Sequence, residues 1–196
     1  MLRPPTGVVL AGGEGRRMGG DKALATLDGI PLLRYPLEVL RQVFGTVAVA
    51  AKSDSRLPRL DASVTLLLEP PEPRHPLVGV RTALAALDGP VFVCPVDVPL
   101  LDEATVRHLW AGAEGSDVGA VARAEGSLHP LVGLFLPAAL PGLVAMDPDE
   151  PARDVVGRLG LAPVDVPRPE ALRNVNAPED LLMLAEGFGP RRHPAP

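Results

Sequence analysis

The sequence has little that would suit a secreted, membrane-bound or nucleic-acid-binding protein. Its single cysteine, Cys94, excludes an internal disulfide and is typical of a reducing compartment. No apolar stretch reaches the length of a transmembrane helix, and the first residues lead into a strand without a cleavable signal. A formal net charge of −5 argues against a nucleic-acid binder, whose affinity comes largely from a basic face. We therefore expect a cytoplasmic protein that binds neither membranes nor nucleic acid.

Lysine is also scarce, with two lysines against seventeen arginines. One of the two, Lys22, lies in a stretch over residues 10–22 that contains five glycines and two arginines, Arg16 and Arg17. The glycines allow backbone N–H groups to approach phosphate oxygens closely, and the cations add positive charge. This stretch follows an apolar run over residues 6–10, which predicts a buried strand. The pattern therefore predicts a phosphate-binding loop in which Lys22 supplies a compact ammonium rather than a guanidinium fork.

The length and the apolar pattern predict the fold. A chain of 196 residues with 46% hydrophobic residues can bury one sizeable core. Strands are predicted at residues 6–10, 46–51, 64–68, 91–94 and 162–166, and helices at 33–44, 79–87, 102–110, 152–159 and 178–186. Residues 119–124 and 129–136 predict an antiparallel hairpin, and a helix is expected after Pro137. We expect an α/β fold, a Rossmann-like three-layer sandwich with a mostly parallel sheet. It would form a single domain over residues 1–187, followed by a disordered tail at 188–196.

The spacing within the glycine-rich loop excludes two common phosphate-binding motifs. A Walker loop has lysine directly after glycine and then a hydroxyl residue, but here Asp21 precedes Lys22 and Ala23 follows it. A dinucleotide fingerprint is G-x-G-x-x-G, whereas this loop has G-x-G-x-x-x-G, one residue too long. The loop therefore belongs to neither class.

A second informative stretch is Cys94-Pro-Val-Asp-Val-Pro, which follows the apolar strand at residues 91–94. Asp97 is therefore expected at the carboxyl end of the sheet, where open α/β sheets bind their ligands. A carboxylate combined with substrate phosphates is the usual way to hold magnesium. Asp97 is accordingly predicted to be a magnesium ligand, although an acid in such a loop can also serve only to cap a turn.

These motifs resemble a known family. The string L-A-G-G-x-x-x-R-M-G-G-D-K over residues 10–22 resembles the signature of nucleotidyltransferases, and most closely that of molybdenum cofactor guanylyltransferases. The segments C-P-x-D-x-P at Asp97, H-P-L-x-G at His129, and N-V-N at Asn174 and Asn176 are similar to further motifs of that family. The resemblance covers nearly the whole chain.

The resemblance implies a set of site residues. It assigns the catalytic roles to Lys22, Arg17 and Asp97, with Mg²⁺ bound to Asp97. The nucleotide would be bound by Leu10, Ala11, Gly12, Gly13, Lys22, Glu69 and Asp97, and the second substrate by His129, Asn174 and Asn176. From the residues alone, His129 could be an ordinary strand histidine, and the two asparagines could satisfy turn backbone. The chain departs from the family by having Glu69 in place of an aspartate, and His75 in place of the glycine of G-P-L-A-G.

The resemblance also implies an activity: transfer of GMP from GTP to the phosphate of molybdopterin, with release of pyrophosphate. Transient contact with proteins that make or receive the cofactor is implied as well. Two alternatives stay open, another small nucleotidyltransferase that uses CTP on molybdopterin and a non-catalytic nucleotide-binding regulator. The Gly12-Gly13 pair favours GTP, since related cytidylyltransferases tend to have L-A-A-G, and a regulator would not need Lys22 or Asp97.

Overall fold

The computed structural model describes residues 3–13 and 22–187. The strands in these ranges are Thr6–Leu10 (β1), Thr26–Leu27 (β2), Ile30–Pro31 (β3), Val47–Lys52 (β4), Val64–Glu69 (β5), Val91–Pro95 (β6), Gly119–Ala124 (β7), Ser127–Phe135 (β8) and Ala162–Asp165 (β9). The α-helices are Arg34–Phe44 (α1), Val78–Ala86 (α2), Glu103–Gly112 (α3), Leu140–Val144 (α4), Ala152–Leu159 (α5) and Pro178–Gly187 (α6). Short 3₁₀ helices span Pro137–Ala139 and Pro169–Leu172.

Seven strands form one sheet in the order β5-β4-β1-β6-β8-β7-β9. β1 pairs in parallel with β4 and β6, β4 pairs in parallel with β5, and β7 pairs in parallel with β9. β8 runs antiparallel to both of its neighbours, β6 and β7. Six strands of this sheet therefore point in one direction and β8 opposes them. The predicted mostly parallel sheet with an antiparallel hairpin is confirmed.

Buried side chains form an apolar cluster on each face of the sheet, because successive residues of a strand point to opposite faces. Val9 of β1 belongs to the cluster that packs against α1 and α3, which contribute Leu40 and Leu109. Val8 belongs to the cluster that packs against α2 and α5, where Val80 is fully buried. Helices thus cover both faces, and the α/β three-layer arrangement predicted from the apolar runs is the one observed.

Helix ends follow their sequence signals closely. α1 ends at Gly45, which adopts a positive φ of 74°. The side chain of Asp102 caps α3 by accepting a hydrogen bond from the Thr105 N–H at 2.8 Å. The predicted helix at 152–159 matches α5 in both bounds. The differences are small: β8 begins at Ser127, and the helix after Pro137 starts as a 3₁₀ turn and becomes α-helical only at Leu140.

A shift of register in the hairpin opens the sheet at one place. Val121 pairs with Gly133, but the next residue, Ala122, pairs with His129, so residues 130–132 bulge out of the ladder. The pairing of β8 with β6 ends at Val93 and Gly133. The first half of β8 therefore pairs only with β7, and the carboxyl edge of the sheet divides between β6 and β8.

Two predictions concern the C-terminal tail and the absence of a membrane-spanning helix. The tail predicted at residues 188–196 lies outside the described residues. The longest helix of the described residues, α1, has 11 residues, and none of these helices is both long and apolar enough to cross a membrane.

Candidate active site

The carboxyl ends of three strands meet where the glycine-rich loop begins. The N–H of Val96, just after β6, donates to the Leu10 carbonyl at 3.0 Å, and the Ala11 N–H donates to the Ala50 carbonyl of β4 at 2.7 Å. Ligands of open α/β sheets bind outside this edge. The structure therefore places Leu10, Ala11 and the first two glycines of the loop, Gly12 and Gly13, at the expected position. Arg17 lies outside the described residues.

Lys22 and Asp97 form an ion pair at this edge, although 75 positions separate them in sequence. The Lys22 ammonium donates to Asp97 Oδ2 at 2.7 Å. The side chains are only 13% and 18% exposed, so water screens the pair poorly. Two residues predicted to be catalytic from separate motifs are thus in direct contact.

The second carboxylate oxygen of Asp97 is not used by Lys22. Asp97 Oδ1 is buried and has no hydrogen-bond partner within the described part of the chain. A buried polar atom without a partner is costly unless something binds it. Among residues 3–13 and 22–187, no group of three or more potential metal-ligand side chains comes together. Magnesium is commonly bound by one or two carboxylates together with substrate phosphates, and Asp97 fits that kind of site.

The segment that carries the two asparagines crosses the sheet edge beside this pair. Val175 is fully buried, and its N–H donates to the Asp97 backbone carbonyl at 2.8 Å. Asn176 Oδ1 accepts a second hydrogen bond from the Lys22 ammonium, at 2.9 Å. Asn174 is exposed, and its side chain makes no hydrogen bond to any described residue. The structure thus brings Asn176 to the site and leaves Asn174 facing solvent next to it.

Glu69, at the end of β5, packs tightly against two glycines. A Cβ atom on Gly12 would lie 2.5 Å from Glu69 Oε1, and one on Gly79 would lie 2.9 Å from the same oxygen. Burial raises the pKa of the Glu69 carboxyl, and the nearby Lys52 ammonium opposes that shift. Gly12 is therefore needed for the close approach of Glu69, in addition to any role toward phosphate. Gly13 has open space around it.

His129 is half-buried on the face of the sheet that Val175 covers. It pairs with Ala122, and directly opposite residues of an antiparallel pair share a face. Ala122 and Val175 belong to the same apolar cluster. Burial lowers the pKa of the His129 imidazole, which favours its neutral form. The ring has no hydrogen-bond partner among the described residues, so it can accept one from a ligand at the opening between β6 and β8.

His75 has a different role. Its ring is buried, with Nδ1 accepting from the Leu77 N–H at 3.1 Å and Nε2 lying 2.8 Å from the Glu150 carbonyl. Since Nδ1 is the acceptor, Nε2 carries the proton and donates to that carbonyl. His75 therefore ties the loop before α2 to the segment before α5, and both of its ring nitrogens are in use.

Two contacts at the site were not predicted. Ala177, at the start of α6, has no hydroxyl that could accept from the first turn, and the helix start is instead stabilised by Asp180. Its Oδ2 accepts from the N–H groups of Asn176 and Ala177 at 2.7 and 2.9 Å. An acid three residues into a helix is the signal that could have indicated this half of a capping box. No local signal points to the contact between Lys22 and Asn176, which are 154 positions apart.

Gly12, Gly13, Lys22 and Asp97 lie at the carboxyl edge of an open α/β sheet, the edge at which proteins of this class bind their ligands. The chain belongs to the family of the MobA-like NTP transferase domain, whose sequence model matches residues 7–166. It is 40% identical over 184 residues to a molybdenum cofactor guanylyltransferase of Cereibacter sphaeroides, covering 89% of this chain and 92% of that protein. A probable molybdenum cofactor guanylyltransferase of Mycobacterium avium is 33% identical, with 92% and 94% covered. The family predicted from the motifs is confirmed, and the chain is a nucleotidyltransferase.

Solved structures agree on the fold. Molybdopterin-guanine dinucleotide biosynthesis protein A from Archaeoglobus fulgidus superposes with a TM-score of 0.70 at 20% identity, covering 92% of this chain and 97% of that one. The 2-C-methyl-D-erythritol 4-phosphate cytidylyltransferase from Thermus thermophilus gives 0.66 at 19% identity, covering 93% and 96%. Both proteins share the architecture, so the fold alone does not select the nucleotide base.

Proposed function

We propose that this protein transfers GMP from GTP to the terminal phosphate of molybdopterin, forming the guanine dinucleotide cofactor and pyrophosphate. The contact between Lys22 and Asp97, with Asp97 Oδ1 buried and unpartnered among the described residues, carries the proposal. Lys22 would supply a cation for phosphate, and Asp97 Oδ1 would supply an oxygen for a metal. The 40% identity to a molybdenum cofactor guanylyltransferase supports the choice of substrates.

The reaction joins two polyanions, so positioning and charge neutralisation are the main tasks. A phosphate oxygen of molybdopterin attacks the α-phosphorus of GTP, and the bond from that phosphorus to the oxygen bridging to the β-phosphate breaks. Lys22 would stabilise the negative charge that spreads over the α-phosphate oxygens. The glycine loop and Arg17 would bind the β- and γ-phosphates, which leave as pyrophosphate. The attacking phosphate is already ionised near neutral pH, so no general base is required.

Magnesium bound to Asp97 would neutralise phosphate charge and orient the leaving group. Asp97 is suited to this because its Oδ2 is held by Lys22 while its Oδ1 has no partner among the described residues. The backbone groups of Leu10 to Gly13 would lie along the nucleotide, and Glu69 would contact the ribose or the base. Guanine presents N–H donors, and backbone carbonyls and a carboxylate can accept hydrogen bonds from them.

The second substrate would bind on the side of Asn174, Asn176 and His129. The contact of Asn176 with Lys22, and the place of His129 on the part of β8 that pairs only with β7, support this proposal. A neutral His129 suits the uncharged pterin ring better than it suits a phosphate. We also propose a cytoplasmic location, supported by the free and buried Cys94, and transient contact with proteins that make or receive the cofactor.

Isothermal titration of GTP, CTP and ATP with magnesium tests the proposal, with Asp97→Ala compared against the wild type. Selective GTP binding that weakens in the variant would support a metal-assisted guanylyltransferase, to be completed by a transfer assay with molybdopterin. Preference for CTP would assign the protein to cytidylyl transfer. Binding that is indifferent to base and metal would support a non-catalytic regulator and refute the proposal.

A further inference from the structure

The structure separates two asparagines that share one sequence motif. Asn176 Oδ1 accepts a hydrogen bond from the Lys22 ammonium at 2.9 Å, whereas Asn174 makes no side-chain hydrogen bond to any described residue. An ammonium group has three N–H donors. Asp97 Oδ2 takes one of them and Asn176 Oδ1 takes another, which leaves one N–H of Lys22 for a ligand. Two fixed acceptors determine the direction of that third N–H.

The backbone around Asn176 is anchored on both sides. The Asn176 N–H donates to Asp180 Oδ2 at 2.7 Å, and the neighbouring Val175 N–H donates to the Asp97 carbonyl at 2.8 Å. Val175 itself is fully buried. The amide oxygen of Asn176 therefore projects from a short, restrained segment, and its position relative to Lys22 and Asp97 is set by the fold.

We propose that Asn176 is a positioning residue for Lys22, holding the ammonium so that its remaining N–H points at the triphosphate. This inference rests on the proposed nucleotide transfer. Without Asn176, the Asp97 carboxylate is the one acceptor that holds the ammonium among the described residues, and these contacts no longer fix the direction of its other two N–H groups. A neutral amide provides this restraint without adding negative charge beside a triphosphate. The amide NH₂ of Asn176 stays available to the second substrate.

The test is a double-mutant cycle on binary binding of GTP with Mg²⁺, measured by titration without any second substrate. We expect Asn176→Ala to weaken GTP binding by about three- to tenfold, the typical net effect of losing one hydrogen bond. Gln42→Ala, which removes an exposed amide on α1, is the control and should change the affinity by less than about twofold. In a Lys22→Ala background, Asn176→Ala should have no further effect, because it acts through Lys22. Melting temperatures check that the variants are folded, which is expected because Asn176 is exposed.

Two results would overturn the positioning role: unchanged GTP affinity in Asn176→Ala, or the same loss with and without Lys22. If Asn176 served only the second substrate, the binary affinity would not change. If the wild type prefers CTP, guanylyl transfer is contradicted but the positioning role of Asn176 is not. The same cycle would then be measured with CTP. A wild type that binds no nucleotide would refute both proposals.

Discussion

Removing the Lys22 ammonium should damage catalysis far more than stability. In Lys22→Ala, the site loses the cation that lies 2.7 Å from Asp97 Oδ2 and 2.9 Å from Asn176 Oδ1, in a place where the lysine side chain is only 13% exposed. Water replaces a cation poorly in such a site. Loss of one such preorganised group commonly costs about 10²- to 10³-fold in rate. We expect turnover to fall at least about 100-fold, or about 2.7 kcal/mol in transition-state stabilisation.

The assay is the single-turnover rate of pyrophosphate release at saturating GTP, magnesium and molybdopterin. Lys22→Arg is the informative companion variant. It keeps the positive charge but replaces a compact ammonium by a planar fork, so we expect it to remain at least about tenfold slower than the wild type. Thermal melting shows whether both variants are folded. Turnover of Lys22→Ala within about tenfold of the wild type, in a folded protein, would refute the catalytic assignment.

Three further outcomes are expected. Asp97→Asn should keep the hydrogen bond to Lys22, but magnesium should no longer activate the variant in the transfer assay. Unchanged dependence on magnesium would contradict the assignment of Asp97 as a metal ligand. Glu69→Gln should raise the melting temperature at neutral pH, because burial raises the pKa of Glu69 in the folded state and its ionisation there costs stability. That gain should disappear below the ordinary glutamate pKa of about 4.3, and a gain independent of pH would contradict the explanation. His75→Ala should lower the free energy of unfolding, measured in urea, by about 2–4 kcal/mol, because it removes two buried hydrogen bonds. The exposed His108 is the control, and His108→Ala should lower it by less than about 1 kcal/mol. Equal losses would show that the buried hydrogen bonds contribute little.

Local signals predicted most elements of the fold. The apolar run at residues 6–10 is β1, and the helical periodicity that stops at Gly45 is α1. Alternation of apolar strands with helices indicated a parallel sheet, since such strands are buried on both faces. The position of Asp97 at the carboxyl edge followed from the strand before it. These predictions depend on short stretches of chain, where propensity and burial act together.

Contacts between distant segments could not be predicted in this way. The hairpin was expected, but nothing local indicates that its second strand, β8, would lie next to β6 while β7 pairs with β9. The bulge at residues 130–132 depends on how three strands fit together. The grouping of Lys22 with Asn176 likewise depends on the complete sheet. The motifs identified which residues to consider, and the packing determined which of them touch.

The hydrogen bond from Val175 to Asp97 also bears on how the protein is made. The ribosome finishes every strand of the sheet, up to β9 at Asp165, before it adds Val175 and Asn176. A nascent chain that is one residue longer already contains the whole stretch that matches the family model, residues 7–166, yet lacks the segment that restrains Asp97 and Lys22. The restraint of the catalytic pair is therefore completed late in biosynthesis. A fragment that stops after the sheet would carry Lys22 and Asp97 without the segment that restrains them.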